Sequence, residues 1–397
     1  MFTAYTGATL IDGNGDPPVK DAVIVVRDDR ITAVGTKASV EIPTDALIED
    51  LTGKTVIPGL IDCHIHLDLH GLADTYAENL VEDKLRTLRA AAEMRNTLRS
   101  GFTTVRSVGS VNYVDLAVKQ GVALGYVKGP RILAAGKIIT MTSSGTEYFS
   151  GMYREADGPD ECRKAAREQL KKGADFLKLM ATGAVMNPGS KPGAAELEKE
   201  EMQAVVCEGL KLGKHTAAHA HGAEGIKNAV AAGVRTIEHG TLADDQALEM
   251  IREAGAFLVP TMSPRRLFLK HADQVPQFIV EKSKQMIGQT ASLVGRAKAT
   301  GVSIAMGTDA GTNFNYHGDN AQEIVYLVEE EMLTPMEALT AATATAAKAI
   351  MLDHDVGILS PGRLADMLIV DENPLENIRV LLDRSRFRII FGGELVV

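Results

Sequence analysis

The chain carries only three cysteines, Cys63, Cys162 and Cys207, odd in number and far apart along 397 residues. Such a set makes no disulfide frame, and a reducing compartment is the expectation. Excess positive charge is also missing: 42 Lys and Arg stand against 52 Asp and Glu, a formal net charge of −10. A broad basic surface for nucleic acid or an anionic membrane is therefore not expected. No apolar run approaches the ~20 residues that a bilayer requires. Met1-Phe2-Thr3-Ala4-Tyr5 has neither the basic start nor the apolar core of a secretory leader, so a cytoplasmic location is expected. There is no low-complexity tract and no close internal repeat. What is present is a globular profile, 45% apolar and 24% charged. The length exceeds one ordinary core and fits a large barrel with a small domain, or two to three domains.

The two ends read as β structure. Ala22 to Val26 and Ile31 to Val34 are β-prone, with Arg27-Asp28-Asp29-Arg30 between them, which predicts a hairpin. Met367 to Val370, Phe387 to Phe391 and, after Gly392-Gly393, Glu394 to Val397 form a matching set. The expectation is one small β-sandwich built from residues 1–57 and 355–397. Residues 58–354 are its insert. That insert alternates eight apolar runs with helical stretches: Leu60–His66, Thr103–Arg106, Arg131–Ala135, Phe176–Met180, Thr216–Ala220, Thr236–His239, Phe257–Thr261 and Ser303–Asp309. Gly101, Gly173, Gly213, Gly233, Gly255 and Gly301 follow helical stretches, where glycine is the usual stop. Strand alternating with helix means parallel strands, and eight of them predict an α/β fold of the (β/α)8 TIM barrel type.

In such a barrel the chemistry gathers at the C-terminal ends of strands. The first run ends in His64 and His66, one residue apart and so on one face of a strand. Alone, a His-x-His is more often a hydrogen-bonded surface pair than a metal site. Here the fourth run carries Lys178, the fifth His219 and His221, the sixth His239 and the eighth Asp309. A set of imidazoles, an amine and a carboxylate around one mouth is a metal-ligand set. A lysine in an apolar run loses its charge easily, because burial disfavours the cation. The neutral amine can add carbon dioxide and become an anionic carbamate with two oxygens for two metals. Asp309 could instead be a turn residue, as most loop aspartates are. In a metal site it takes the proton of the attacking water and passes it to the leaving group.

These residues together resemble the amidohydrolase superfamily. The pieces that carry the likeness are Asp62-Cys63-His64-Ile65-His66, Leu177-Lys178-Leu179, His219, His239 and Gly307-Thr308-Asp309, with Val56 to Asp62 entering the barrel and Gly357 to Asp366 leaving it. Within it, Phe102 to Arg106, Met180 to Gly183, Ala218 to Gly222, Ile237 to Gly240 and His317 to Asn320 look like the imidazolonepropionase-related branch, which holds Xaa-Pro and Xaa-Arg dipeptidases and ochratoxin-type amidases. The resemblance implies two divalent metal ions, with zinc the expected one. His64, His66 and Asp309 would hold the inner ion, His219 and His239 the outer one, and carboxylated Lys178 would bridge them. It also implies a homo-oligomer, often an octamer. The chain departs from the dipeptidases after the third strand: a Thr-Gly-Gly-His stretch, whose histidine helps polarise the carbonyl, is replaced by Thr142-Ser143-Ser144-Gly145-Thr146-Glu147. Ser144 and Thr146 are the candidate replacements. His221 and His317 are candidate substrate contacts. Arg106 and Arg154 are candidate partners for a substrate carboxylate, which arginine binds with two parallel bonds.

The expectation is thus a two-metal amidohydrolase that cleaves a dipeptide or an N-acyl amino acid with metal-activated hydroxide. The alternatives are hydrolysis of a cyclic amide or lactam, a carbamate or an ester, or one-metal deamination, in the same barrel. A metal-free binding module is the remaining alternative from another class.

Overall fold

The computed structural model describes residues 1–287, 293–330 and 333–396. Both chain ends enter one sheet of eight strands. Phe2–Leu10 pairs with Val19–Arg27 on one side, and with Leu47–Asp50 and then Thr55–Pro58 on the other. Thr55–Pro58 in turn pairs antiparallel with Met367–Val370, which pairs with Phe387–Phe391. The expected hairpin is present, with Arg27 opposite Arg30 and Asp28 in the left-handed region at φ 55°. Side chains alternate along Val19–Arg27: Ile24 and Val26 join Leu10, Val56 and Ile369 on one face, and Val23 and Val25 join Ala4 on the other. The expected sandwich is therefore, by its hydrogen bonds, a single sheet with apolar side chains buried on both faces. Val397 of the last predicted strand lies outside the described residues.

The middle of the chain is α/β with parallel strands. Leu60–Ile65, Phe102–Ser107 and Arg131–Ala134 form one sheet of three. The second sheet, of seven, runs Tyr153–Glu155, Ile138–Thr140, Leu177–Met180, Thr216–Gly222, Thr236–Leu242, Phe257–Val259, Ser303–Ile304, every pair parallel. All eight predicted runs contain a strand. Ile138–Thr140 and Tyr153–Glu155 are additional. The ladder does not close into a ring, but hydrogen bonds cross both seams. Asp175 N donates to Ala134 O at 2.8 Å on one side. On the other, Cys63 N donates to Met306 O at 3.0 Å, Asp309 N to His64 O at 2.7 Å and His66 N to Ala310 O at 2.8 Å. The eighth run keeps only two ladder residues, because beyond Ile304 it bonds the first strand irregularly.

Helices follow most strands, and the six glycines expected to stop them all adopt φ between 63° and 98°. The predicted Phe278–Thr300 helix is seen as Gln277–Ile287 and Leu293–Thr300; 288–292 lie outside the described residues, as does Glu331 at the end of the helix predicted from Asn320. Met262–Lys270 is a helix that the sequence did not suggest. Among the described residues no helix is long and apolar enough to cross a membrane.

Candidate metal centre

The strand ends bring two clusters of ligating atoms together. One is His64, His66 and Asp309, the other His219, His221 and His239, and within each the atoms lie within 4.8 Å of one another. The clusters adjoin, with the His64 and His239 ring centres 5.0 Å apart. Asp309 Oδ1 is 3.4 Å from His64 Nε2 and 3.5 Å from His66 Nε2. Lys178, on the Leu177–Met180 strand, lines the same cavity.

Four of the five rings are held by the other nitrogen. His64 Nδ1 meets Glu238 Oε2 at 2.7 Å, His66 Nδ1 meets Gly109 O at 2.9 Å, His221 Nδ1 meets Thr241 Oγ1 at 2.9 Å, and His239 Nδ1 meets Thr261 Oγ1 at 2.6 Å. With Nδ1 engaged, Nε2 is left for the cavity, as metal-binding imidazoles require. Burial lowers His66 to about 4 and His221 to about 3, and takes His219 and His239 well below the ordinary histidine range. Those rings are neutral, the form that ligates. Burial also pulls His64 down, but the Asp309 carboxylate and the bond to Glu238 together more than offset this, and its net shift is upward.

Backbone strain marks the same residues. Asp309, His239 and Thr261 take φ of 58°, 71° and 46°. Non-glycine residues pay for that conformation, and it collects at functional sites. At His239 it breaks the two-residue alternation of a strand, so Glu238 and His239, consecutive in sequence, both reach His64. At Asp309 it is fixed by Asn315 Nδ2 and Thr312 Oγ1, which both donate to the Asp309 main-chain oxygen at 2.9 Å. Gly307 is required because a Cβ there would lie 2.8 Å from the Cβ of His64. Asp62 ties the two strand ends, accepting from His64 N, Thr308 N, Thr308 Oγ1 and Asn320 Nδ2.

Three buried polar atoms at the centre have no hydrogen-bond partner: Lys178 Nζ, His219 Nε2 and Asp309 Oδ1. Orphaned buried groups are rare and ask for a reason. A divalent metal ion is the group that this donor set fits, since it would satisfy His219 Nε2 and Asp309 Oδ1 directly. The Lys178 amine is lowered to about 8, chiefly by burial, so roughly a tenth of it is neutral at pH 7, far more than for an exposed lysine.

Four of the expected substrate contacts sit elsewhere, and one more takes a different position. Arg106 is fully buried and spent on Cys63 O, Thr236 Oγ1 and Glu238 Oε1, outside the cavity. Arg154 is paired with Glu168 at 2.7 Å. Thr146 Oγ1 binds Glu155 and Ser144 is exposed against Gly189, so neither lines the cavity. His317 Nε2 faces the main-chain oxygens of His66 and Leu69 and steadies the loop after the first strand. His221 does line the cavity, but as a member of the second histidine cluster.

The cavity holds about 980 Å3 of atom-free space, the solvent at its mouth included. Its walls bring in residues the sequence had not marked: Phe149, Met152 and Tyr153 from the stretch after the third strand, Val185 and Met186 from the loop after the fourth, and Met262, Arg265 and Phe268 from the unexpected helix. Glu323 anchors that helix, accepting from Met262 N at 2.6 Å, Ser263 N at 2.8 Å and Ser263 Oγ at 2.6 Å. Burial raises Glu323 from 4.5 to about 7 against these donors. A carboxyl raised on folding contributes stability that is full below its unfolded value and is lost as pH rises through its folded value. Integrated over that interval the loss is roughly 3 kcal/mol. The unfolding midpoint of the unaltered protein is thus expected to fall, relative to that of Glu323→Gln, between pH 5 and pH 8. A constant difference across that range would remove Glu323 as the titrating group.

The chain belongs to the amidohydrolase family, whose profile matches residues 55–396. It is 30% identical to the ochratoxinase of Aspergillus niger, over 98% of this chain and 85% of that one. It is 26% identical to the imidazolonepropionase of Nocardia farcinica, over 93% of this chain and 92% of that one. A solved Xaa-Pro dipeptidase with methionine in its active site superposes with a TM-score of 0.91 and 33% identity, covering 100% of both chains. The resemblance read from the sequence holds, and the protein is a hydrolase of carbon–nitrogen bonds.

Proposed function

We propose that the chain is a two-metal amidohydrolase, its barrel at residues 58–354, that cleaves the amide bond of a dipeptide or an N-acyl amino acid. The observation that carries this is the pair of adjoining clusters whose unpartnered atoms share one cavity with Lys178. His64, His66 and Asp309 would hold one ion, His219 and His239 the other, and Lys178 as its carbamate would bridge them. His221 adds a further imidazole to the second cluster. Carboxylation joins the neutral Nζ to the carbon of carbon dioxide and releases one proton. Bound metal supplies Lewis acidity, which lowers the pKa of water and polarises a carbonyl. The chain's own part is positioning and proton transfer. Water adds its oxygen to the amide carbon, the Asp309 carboxylate accepts the proton released, and Asp309 returns it to the nitrogen as the C–N bond breaks. The products are a carboxylic acid and an amine.

Lys178→Ala is expected to lose most bound zinc, measured per chain by elemental analysis, and to regain part of it with millimolar propionate. The unaltered protein is expected to hold two zinc ions per chain and to show a carbamate carbon by NMR after exposure to labelled bicarbonate. Undiminished zinc in Lys178→Ala would count against the bridge. One ion per chain in the unaltered protein would turn the reading towards a one-metal hydrolase or deaminase.

A further inference from the structure

Thr142 to Glu147, which stands where the dipeptidases carry their histidine, sends no side chain into the cavity. The next loop is fitted against it instead. Gly145, at φ 86°, packs so closely that a Cβ there would strike Pro188 O and lie 3.1 Å from the Asn187 carbonyl carbon. A Cβ on Gly189 would likewise lie 2.9 Å from Ser144 Cβ. Of the polar side chains in these two loops, that of Asn187 is the one that lines the cavity. Asn187 is 4% exposed and clamped at both ends. Lys282 Nζ and Ser190 N donate to its main-chain oxygen at 2.6 Å and 3.3 Å, and Tyr153 Oη donates to its Oδ1 at 3.1 Å. Only the Ile138–Thr140 strand separates Tyr153 from the strand of Lys178. Burial above all, then the charges of Glu196 and Asp309, hold the Tyr153 hydroxyl above its usual range, so it keeps its proton and is the donor. Asn187 Nδ2 has no partner among the described residues and is not sealed from solvent, so its two N–H donors stay open to the cavity.

We propose, resting on the amidase reading above, that Asn187 Nδ2 takes the part of the absent histidine: it donates to the oxygen of the scissile carbonyl as negative charge develops there, and Tyr153 is its positioning residue. A primary amide can present either its donors or its acceptor. The Tyr153 bond engages the acceptor, and so selects the donors. A donor fixed before the reaction needs no reorganisation during it, and its bond strengthens as the oxygen gains charge. Two loops and one tyrosine thus supply what a single side chain supplies in the dipeptidases.

The test uses zinc-loaded enzyme and two readouts. One is kcat and KM on L-phenylalanyl-L-phenylalanine and N-acetyl-L-phenylalanine. The other is calorimetric binding of N-(methylphosphonyl)-L-phenylalanine, tetrahedral and anionic where the carbonyl would be, against that of L-phenylalanine. Asn187→Leu, similar in volume but without the donor, is expected to lose about 10²–10³-fold in kcat with KM kept within about threefold. It is expected to bind the phosphonyl compound at least about tenfold more weakly and L-phenylalanine as before. Tyr153→Phe, which only frees the amide to turn, is expected to lose about tenfold in kcat, again with KM held. Asn187→His, which restores an N–H, is expected to regain part of the loss. Unchanged kcat in a folded Asn187→Leu overturns the proposal and leaves the amidase reading intact. If Asn187→Leu does not fold, unchanged kcat in Tyr153→Phe overturns it. If neither substrate is cleaved, the amidase reading fails for them, and binding still decides: a preference for the phosphonyl compound that is absent from the unaltered protein, or that survives Asn187→Leu, overturns the role of Asn187.

Discussion

Asp309→Asn is expected to retain its metal and to lose about 10²–10⁴-fold in kcat, the range of a positioned general base. The substitution is close to a single-function deletion. Asparagine has the same shape and tolerates the left-handed backbone, φ 58°, better than most residues do. The bonds that fix this conformation, from Asn315 and Thr312, end on the main-chain oxygen and do not involve the carboxylate. An amide oxygen can still face a cation, but it cannot take up a proton at neutral pH. Elemental analysis and turnover on the same preparation separate the two effects. A variant with full turnover would sink the proton-transfer role; one stripped of metal would show that Asp309 acts first as a ligand.

Much of the fold was legible because its strands are buried on both faces. Runs such as Phe176-Leu177-Lys178-Leu179-Met180 are short, apolar and bounded by glycine or helix, and parallel strands are written this way. Two places escaped. The Met262–Lys270 helix opens with Thr261 in the left-handed region and contains Pro264, with Pro260 just before it, and that spacing reads as a loop. Its true start depends on Glu323, sixty residues away in sequence. Ile138–Thr140 and Tyr153–Glu155 are three residues each, and they pair with one another and, through Ile139, with Leu179 of the next strand.

The strand-end histidines, Lys178 and Asp309 were visible from their place at the ends of apolar runs, and the structure gathers them at one mouth. The substrate contacts were not visible, for a physical reason. An arginine in a sequence shows its charge and not its partner: Arg106 looked free until Glu238, 132 residues on, was found against it. Asn187 and the methionine walls gave no signal, since loops and a hidden helix place them. The orienting partner Glu238 did leave a trace beside His239. Strict alternation would send those two side chains to opposite faces, and only the φ of His239 brings both inward.

Glu238 therefore gives the second large expected effect, one that separates folding from metal binding. Its carboxylate is fully buried, with Oε1 on Arg106 Nη2 at 2.8 Å and Oε2 on His64 Nδ1 at 2.7 Å. Burial alone would raise its pKa, but the Arg106 charge and the His64 bond hold it well below the usual carboxylate range. Glu238→Ala leaves the Arg106 guanidinium buried and unpaired, for which a destabilisation of about 3–5 kcal/mol is expected in chemical unfolding. Glu238→Gln keeps the volume and can still accept from Arg106, so a smaller loss of stability is expected. Its amide NH2 then faces His64 Nδ1, which must act as acceptor, and the ring proton moves to Nε2. That proton occupies the lone pair a metal would use. Zinc affinity of Glu238→Gln is accordingly expected to fall about 10–100-fold, the usual cost of losing a group that orients a ligating histidine. Competition against a chelator of known affinity measures it. Unchanged zinc affinity in a well-folded Glu238→Gln would mean that Glu238 braces Arg106 alone, and that the His64 tautomer is set by something other than this carboxylate.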